Sequence, residues 1–146
     1  PAIAPATGGP ATQAAYFSTC AADRPLLAQL GGSDPEQMLA AALLVQDHVD
    51  GVDVNFGCPQ ACARTGGYGA FLLDTPERAR AIVERLVAGL KGPVTANIRI
   101  FPELADTLAF AQMLEAAGVA FVDLAPWSLL YMTPQGGTLT RRWSPS

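Results

Sequence analysis

The alternation of short apolar runs with longer amphipathic segments is the feature that most constrains the fold of this chain. From Pro25 onward, each apolar run rich in branched residues is followed by a segment whose apolar residues recur at helical spacing. This alternation is typical of βα units on a parallel sheet. Strands are predicted at Leu26–Leu30, Val52–Phe56, Pro93–Ile100 and Val119–Leu124.

Helices are predicted in the segments between these strands, from about Ser33 to His48, from about Thr75 to Leu90 and from Thr107 to Ala117. Ser33 and Glu36 have the spacing of a capping box at the first helix, and Gly118 is the expected C-cap of the last. Such a chain fits either an open doubly wound sheet or about half of an eight-stranded barrel, and periodicity alone does not choose between them.

Composition divides the chain into an apolar middle and two irregular ends. Residues 1–15 are rich in Ala, Pro, Gly and Thr and are interpreted as a flexible leader; residues 127–146 lose periodicity and are interpreted as an irregular tail. The segment between them, residues 16–126, is the predicted α/β domain. The chain as a whole is 50% hydrophobic and 15% charged, which is typical of a globular protein with a core.

Net charge and cysteine content indicate which binding partners and which cellular compartment to expect. The net charge is -4 and no long Lys/Arg cluster is present, so this segment alone is expected to bind nucleic acid weakly. Three cysteines, an odd number without a disulfide-like pattern, favour a reducing compartment, with the cytoplasm expected and an organelle left open. No apolar run is long enough to suggest a membrane span.

Both candidate folds place functional groups at the carboxyl ends of the strands, which directs attention to a set of polar and reactive residues there: Gln29, Asn55, Gly57, Cys58, Asn97 and Arg99. Gly57 permits close approach of a ligand to the backbone. Thiols are mostly protonated at neutral pH, so Cys58 could serve as a general acid. A nucleophilic role and a purely structural, buried cysteine remain alternatives.

Other sequence motifs are weaker candidates for a functional site. Cys58 and Cys62 are four residues apart, but no further Cys or His lies near enough in sequence to complete a metal site, and none is expected. The glycines from Gly66 to Gly69 match neither the dinucleotide fingerprint nor the Walker pattern, and a flexible loop is expected there. His48 is expected to be a solvated or capping residue at a helix end.

The chain resembles the dihydrouridine synthases in several blocks that occur in order. The pattern Asn-x-Gly-Cys-Pro-Gln begins at Asn55, and Gly-x-Gly-Ala-x-Leu-Leu begins at Gly67. Asp23–Gln29 upstream, and Pro93-Val94-Thr95 with Ile98-Arg99 downstream, resemble the same family. The similarity extends from about Phe17 to Leu124 and is strongest to the eukaryotic branch that acts on the D-loop of tRNA.

The resemblance implies a partial TIM barrel that binds FMN at its carboxyl face, takes hydride from NADPH and reduces a flipped-out uridine of tRNA. Cys58 would protonate C5 of the uracil. Gln29 matches a family residue that contacts the flavin, Asn55 one that positions the uridine, and Arg99 one near the substrate. Asn97 takes the place of a flavin-contacting lysine.

Departures from the family pattern leave other functions open. Besides the neutral Asn97, the family's His-Gly-Arg-Thr block is replaced by Ala125-Pro126-Trp127-Ser128, and strands at both ends of the barrel are without counterparts. The chain is therefore expected to be a fragment, a divergent gene product or a decayed copy. The alternatives are another FMN barrel, such as a dihydroorotate-dehydrogenase-like protein, which the Gly-Cys-Pro-Gln block disfavours, and an inactive remnant or interaction module.

Overall fold

The computed structural model describes residues 19–125, in which strands and helices alternate. The strands are β1 (Leu27–Leu30), β2 (Gly51–Phe56), β3 (Val94–Arg99) and β4 (Val122–Ala125). The helices are α1 (Pro35–Val45), α2 (Ala61–Gly66), α3 (Pro76–Gly89) and α4 (Leu104–Ala116), with 3-10 turns at Gln46–His48 and Gly69–Asp74. The predicted leader and tail, including Trp127, lie outside the described residues.

The sheet is fully parallel, and its strands lie side by side in chain order, β1-β2-β3-β4. A doubly wound sheet reverses its strand order at a switch point, and these strands show no reversal. Right-handed crossovers between sequential neighbours also place the helices on one face, as in a barrel. The fold is therefore α/β and corresponds to part of a TIM barrel, which confirms the predicted fold class.

One face of the sheet is apolar and carries the core. Val54 and Phe56 of β2 lie opposite Ala96 and Ile98 of β3, and these four side chains are at most 1% exposed. Phe110 of α4 packs edge-on against Phe56, with ring centroids 6.2 Å apart. Burial of this face beneath α1, α3 and α4 is the main stabilising contribution that the sequence pattern predicts.

The other face of the sheet is polar, because side chains alternate along each strand. Its residues form two rows across the strands. Register pairs Gln29 with Asp53 and Asp53 with Thr95; the next row pairs Asn55 with Asn97 and Asn97 with Asp123. In a closed barrel this face would line the interior, so the topology brings several of the predicted site residues together on one surface.

The predicted capping box at α1 is wrong. Asp34 is the N-cap, and its Oδ1 accepts a hydrogen bond from the backbone N of Gln37 at 2.9 Å. A residue before proline is held in an extended conformation, which is the geometry an N-cap requires, so Pro35 selects Asp34. Ser33 instead donates to the carbonyl of Gly66 at 3.1 Å, and Glu36 pairs with Arg85.

Most elements begin or end within a few residues of the predicted positions, and the largest differences concern α4, β4 and the segment after Cys58. Helix α4 begins at Leu104 rather than Thr107, and the hydroxyl of Thr107 accepts from the backbone N of Phe101 at 2.9 Å. Strand β4 begins at Val122 rather than Val119. The segment after Cys58, predicted to be a flexible loop, instead forms α2 and a 3-10 turn, with left-handed Gly67 (φ 63°) ending α2.

Gly118 ends α4 as predicted, with a φ of 104° and a hydrogen bond from its N to the carbonyl of Glu115 at 2.9 Å. Within residues 19–125, none of the helices combines the length and the apolar character needed to cross a bilayer.

Candidate functional site

The candidate functional site is centred on the turn that follows β2. The side-chain Oδ1 of Asn55 accepts hydrogen bonds from the backbone N–H groups of Gly57 at 3.0 Å and of Cys58 at 2.8 Å. An Asx turn of this kind replaces the ladder hydrogen bonds that end with the strand. The position of Cys58 is therefore set directly by the side chain of Asn55.

Gln29 extends this arrangement to the neighbouring strand. Its Oε1 accepts from Nδ2 of Asn55 at 3.1 Å, and its Nε2 donates to Oδ2 of Asp53 at 2.8 Å. The second carboxylate oxygen of Asp53 accepts from the hydroxyl of Thr95 at 2.7 Å. Asp53 and Thr95 were not among the predicted site residues, although the two-residue alternation of β2 places Asp53 on the same face as Asn55.

Arg99 is buried, with 7% of its surface exposed, and its Nε donates to the carbonyl oxygen of Gly57 at 2.5 Å. The two ends of the Gly57 residue are thus held from different strands, its N–H by Asn55 of β2 and its carbonyl by Arg99 of β3. A charged donor makes a stronger hydrogen bond than a neutral one. Arg99 therefore stabilises the turn that leads into Cys58.

Asn97 lies against Gly57 and pairs with β4. Its Nδ2 donates to Oδ2 of Asp123 at 3.0 Å, while its Oδ1 occupies the space that a Cβ at position 57 would enter. Gly57 was predicted to permit close approach of a ligand, whereas the group that closely approaches it in the structure is the side chain of Asn97. Asp123 is a further polar residue of this face that sequence reasoning missed.

The thiol of Cys58 is half-buried, and its peptide is held from the other side by the 3-10 turn. The carbonyl of Cys58 accepts from the N of Ala70 at 2.8 Å. Gly69 has a φ of 66°, and a Cβ there would collide with the same carbonyl oxygen. The glycine-rich motif thus packs directly on the cysteine motif, although the two are separated in sequence.

Tyr68 lines the same region, with its ring close to the α-carbons of Gly31 and Gly66. A hydrogen bond with Cys62, and then burial, raise the pKa of Tyr68 above its usual 10.0. The phenol group of Tyr68 therefore lies close to Cys62 and Cys58.

The structure brings the predicted residues Gln29, Asn55, Gly57, Cys58, Asn97 and Arg99 to one edge of the polar face. His48 is exposed at the end of the 3-10 turn that follows α1. Between residues 19 and 125, no three His, Cys, Asp or Glu side chains converge as a metal site would require.

Parallel βα units in chain order, with a polar sheet face and a cysteine just past the carboxyl end of a strand, are the arrangement of a segment of a TIM-barrel protein. The family model for dihydrouridine synthases, Dus, matches residues 9–124. The chain belongs to the dihydrouridine synthase family, as the motifs around Cys58 predicted.

Individual relatives agree with this assignment. A rat protein named as a tRNA-dihydrouridine(16/17) synthase-like protein is 41% identical over 123 residues, covering 84% of this chain and 28% of the relative. The Saccharomyces cerevisiae tRNA-dihydrouridine(16/17) synthase is 45% identical over 102 residues, covering 70% of this chain and 24% of the relative. A mouse tRNA-dihydrouridine(20a/20b) synthase-like protein is 36% identical over 111 residues. The chain spans about a quarter of the length of the first two relatives.

Proposed function

We propose that this chain is the proton-donor segment of an FMN-dependent tRNA-dihydrouridine synthase, which reduces a uridine of tRNA to 5,6-dihydrouridine with NADPH as the hydride source. The observation that carries the proposal is the anchoring of Cys58 at the carboxyl end of β2, where Asn55 holds its backbone N–H at 2.8 Å. Membership of the dihydrouridine synthase family supports the reaction class, and the names of the relatives include NAD(P)(+) and tRNA.

The polar face offers the groups that a flavin ring requires. Isoalloxazine carries carbonyl oxygens and ring nitrogens at one edge, and primary amides can both donate to and accept from such an edge. Gln29 and Asn97 are the amides proposed to hold FMN. When bound and reduced by NADPH, FMN would supply the hydride that adds to C6 of the uracil.

The residues of this chain are proposed to supply the proton that the reduction also requires. The thiol of Cys58 gives its proton to C5 as hydride adds to C6, so the C5–C6 double bond becomes a single bond and a thiolate remains. Asn55 is proposed to orient the uridine while it fixes the Cys58 turn. Arg99, also proposed to lie near the substrate, holds the carbonyl of Gly57. The base must leave its stack to reach these groups.

The proposed partner is tRNA, and this segment, with its net charge of -4, is expected to bind the tRNA phosphates weakly by itself. The free thiols of Cys20, Cys58 and Cys62 fit a reducing compartment, and the cytoplasm is the proposed location. A second candidate, an inactive interaction module, is favoured by one observation: Asn97 supplies no positive charge for a reduced, anionic flavin where the family has lysine.

Flavin binding tests the choice between these two candidates. The purified chain is mixed with FMN, separated by gel filtration and then treated with NADPH under anaerobic conditions, while the flavin absorbance is followed. An enzyme segment is expected to retain flavin in a one-to-one amount, and NADPH should bleach it. Elution without flavin would contradict the proposal and favour the interaction module.

A further inference from the structure

Asp53 lies at the start of a hydrogen-bond chain that crosses β1, β2 and β3. The hydroxyl of Thr95 and the amide nitrogen of Gln29 both donate to its carboxylate, at 2.7 Å and 2.8 Å. From Gln29 the chain continues through Asn55, at 3.1 Å, to the backbone N–H groups of Gly57 and Cys58. Asp53 therefore connects to the Cys58 turn without touching it.

The two ends of this chain fix its direction. An ionised carboxylate only accepts hydrogen bonds, whereas a backbone N–H only donates. Between them, each amide has a single orientation that satisfies both neighbours. If Gln29 turned over, Asn55 would have to turn as well, and its NH₂ group would then face the N–H groups of Gly57 and Cys58. Such an arrangement sets donor against donor and leaves backbone groups without acceptors.

We propose that Asp53 is a positioning residue, which sets the orientation of the Gln29 and Asn55 amides and through them holds the Cys58 turn. This inference rests on the proposed function for the roles of those two amides. Each amide nitrogen carries a second N–H beyond the one used in the chain. The fixed orientation therefore keeps N–H donors at the site, which suits the carbonyl oxygens of a flavin or a uracil.

The first test is backbone hydrogen exchange, measured by NMR on the chain and on Asp53→Asn. An Asn at position 53 can donate as well as accept, so only the backbone N–H groups at the other end still fix the direction of the chain, and the Asn55 acceptor is held less firmly. Exchange at Gly57 and Cys58 is expected to accelerate by about tenfold, roughly the effect of losing one hydrogen bond. Exchange at Val83 and Leu86 of α3 provides the reference for global stability and should not change to the same extent.

Asp47→Asn is the matched control, since Asp47 is also an aspartate but pairs with Lys91 at 3.1 Å outside the site. It is expected to leave exchange at Gly57 and Cys58 unchanged. Gln29→Ala is the second variant, because position 29 is exposed and the change removes the link between Asp53 and Asn55 without disturbing the core. It should accelerate exchange at the same two amides.

Flavin titration separates this inference from the proposed function. If the wild-type chain binds FMN, Asp53→Asn should raise the dissociation constant by about tenfold, consistent with one misoriented donor, while Asp47→Asn should not. Failure of the wild-type chain to bind FMN would overturn the proposed function, and accelerated exchange would still support the role of Asp53. Unchanged exchange in both Asp53→Asn and Gln29→Ala would overturn the inference, whatever the flavin result.

Discussion

Two glycines surround the peptide of Cys58, and each is required for a different reason. At position 57, a Cβ would collide with Oδ1 of Asn97. At position 69, the backbone has a positive φ of 66°, and a Cβ would also collide with the carbonyl of Cys58. A side chain at either position would displace a group that holds the turn. At the scale of single residues, the placement of the thiol therefore depends on neighbours that carry no chemistry themselves.

Gly69→Ala is expected to destabilise the chain more than Gly118→Ala. Both glycines have positive φ, which costs an L-residue about 1 kcal/mol or more. At Gly69 the new Cβ also meets backbone, while at Gly118 it meets the exposed side chain of Val87, which can move. Urea unfolding monitored by circular dichroism measures both free energies, and equal losses would contradict the packing described for Cys58.

Asn97→Lys is expected to strengthen FMN binding. The change introduces the positive charge that the family resemblance implies for this position, and Asp123, whose Oδ2 lies 3.0 Å from Nδ2 of Asn97, can accept a hydrogen bond from the new ammonium group. A several-fold lower FMN dissociation constant is expected, roughly 1 kcal/mol for a charge-assisted contact. Asn97→Gln provides the neutral control, and an unchanged constant in both variants would contradict the proposed role of this position.

At the scale of single elements, α1 shows how local geometry decides between adjacent residues. Ser33 and Asp34 are both good N-cap types, and Pro35 determines that Asp34 takes the position. Asp34→Ala is expected to lower the free energy of unfolding by about 1 kcal/mol. Ser33→Ala should cost less, because Ser33 makes one exposed hydrogen bond. A larger loss of unfolding free energy for Ser33→Ala than for Asp34→Ala, measured in urea, would support the capping box that the sequence suggested.

The contact between α1 and α3 includes a bidentate ion pair. Nε and Nη2 of Arg85 donate hydrogen bonds to the carboxylate of Glu36 at 2.6 Å and 2.9 Å. The hydrogen bond from Arg85 lowers the pKa of Glu36 below its usual 4.5. Since the folded state binds the proton less tightly, this stabilisation is present above pH 4.5 and is lost as the pH falls through the lowered pKa.

Glu36→Gln is therefore expected to reduce stability slightly at neutral pH, and its difference from wild type should disappear in acid and shrink in high salt. Thermal unfolding across this pH range measures the difference. Glu84→Gln is the control, because the pair of Glu84 with Arg80 at 3.7 Å lies within α3 alone. A difference that grows on acidification would contradict the pKa direction.

At the scale of the whole molecule, the alternating apolar pattern was sufficient to predict the parallel sheet but not its strand order. The choice between a doubly wound sheet and a barrel depends on which strands become neighbours, and periodicity contains no such information. The structure supplies it as the order β1-β2-β3-β4. The family motifs indicated the same architecture from residues that the periodicity does not use, such as Gly57 and Cys58.

Only part of the candidate site could be predicted from the sequence, because periodicity does not show which strands pair. Residues of the cysteine motif, such as Asn55 and Cys58, could be predicted from the sequence because they lie at the carboxyl end of a predicted strand. Asp53 joins the site through the pairing of β2 with β1 and β3, Thr95 through the pairing of β3 with β2, and Asp123 through the pairing of β4 with β3. Similarly, the contact of Gly69 with Cys58 depends on the 3-10 turn, which glycine-rich composition did not predict.

The central claim, that Cys58 is the proton donor of a tRNA-dihydrouridine synthase, is tested most directly by measuring dihydrouridine in tRNA. Residues 19–125 replace the matching segment of the S. cerevisiae relative, in a strain without its own copy, and tRNA is analysed by mass spectrometry at positions 16 and 17 named for that enzyme. Cys58→Ala is compared with the wild-type segment, and Cys62→Ala, which removes an exposed thiol, is the control.

Dihydrouridine is expected with the wild-type and Cys62→Ala segments and should fall by about 100-fold or more with Cys58→Ala, the usual contribution of a general acid. Flavin content of the three purified proteins should be the same. Equal amounts of dihydrouridine with and without Cys58, or none from a wild-type protein that retains its flavin, would contradict the account.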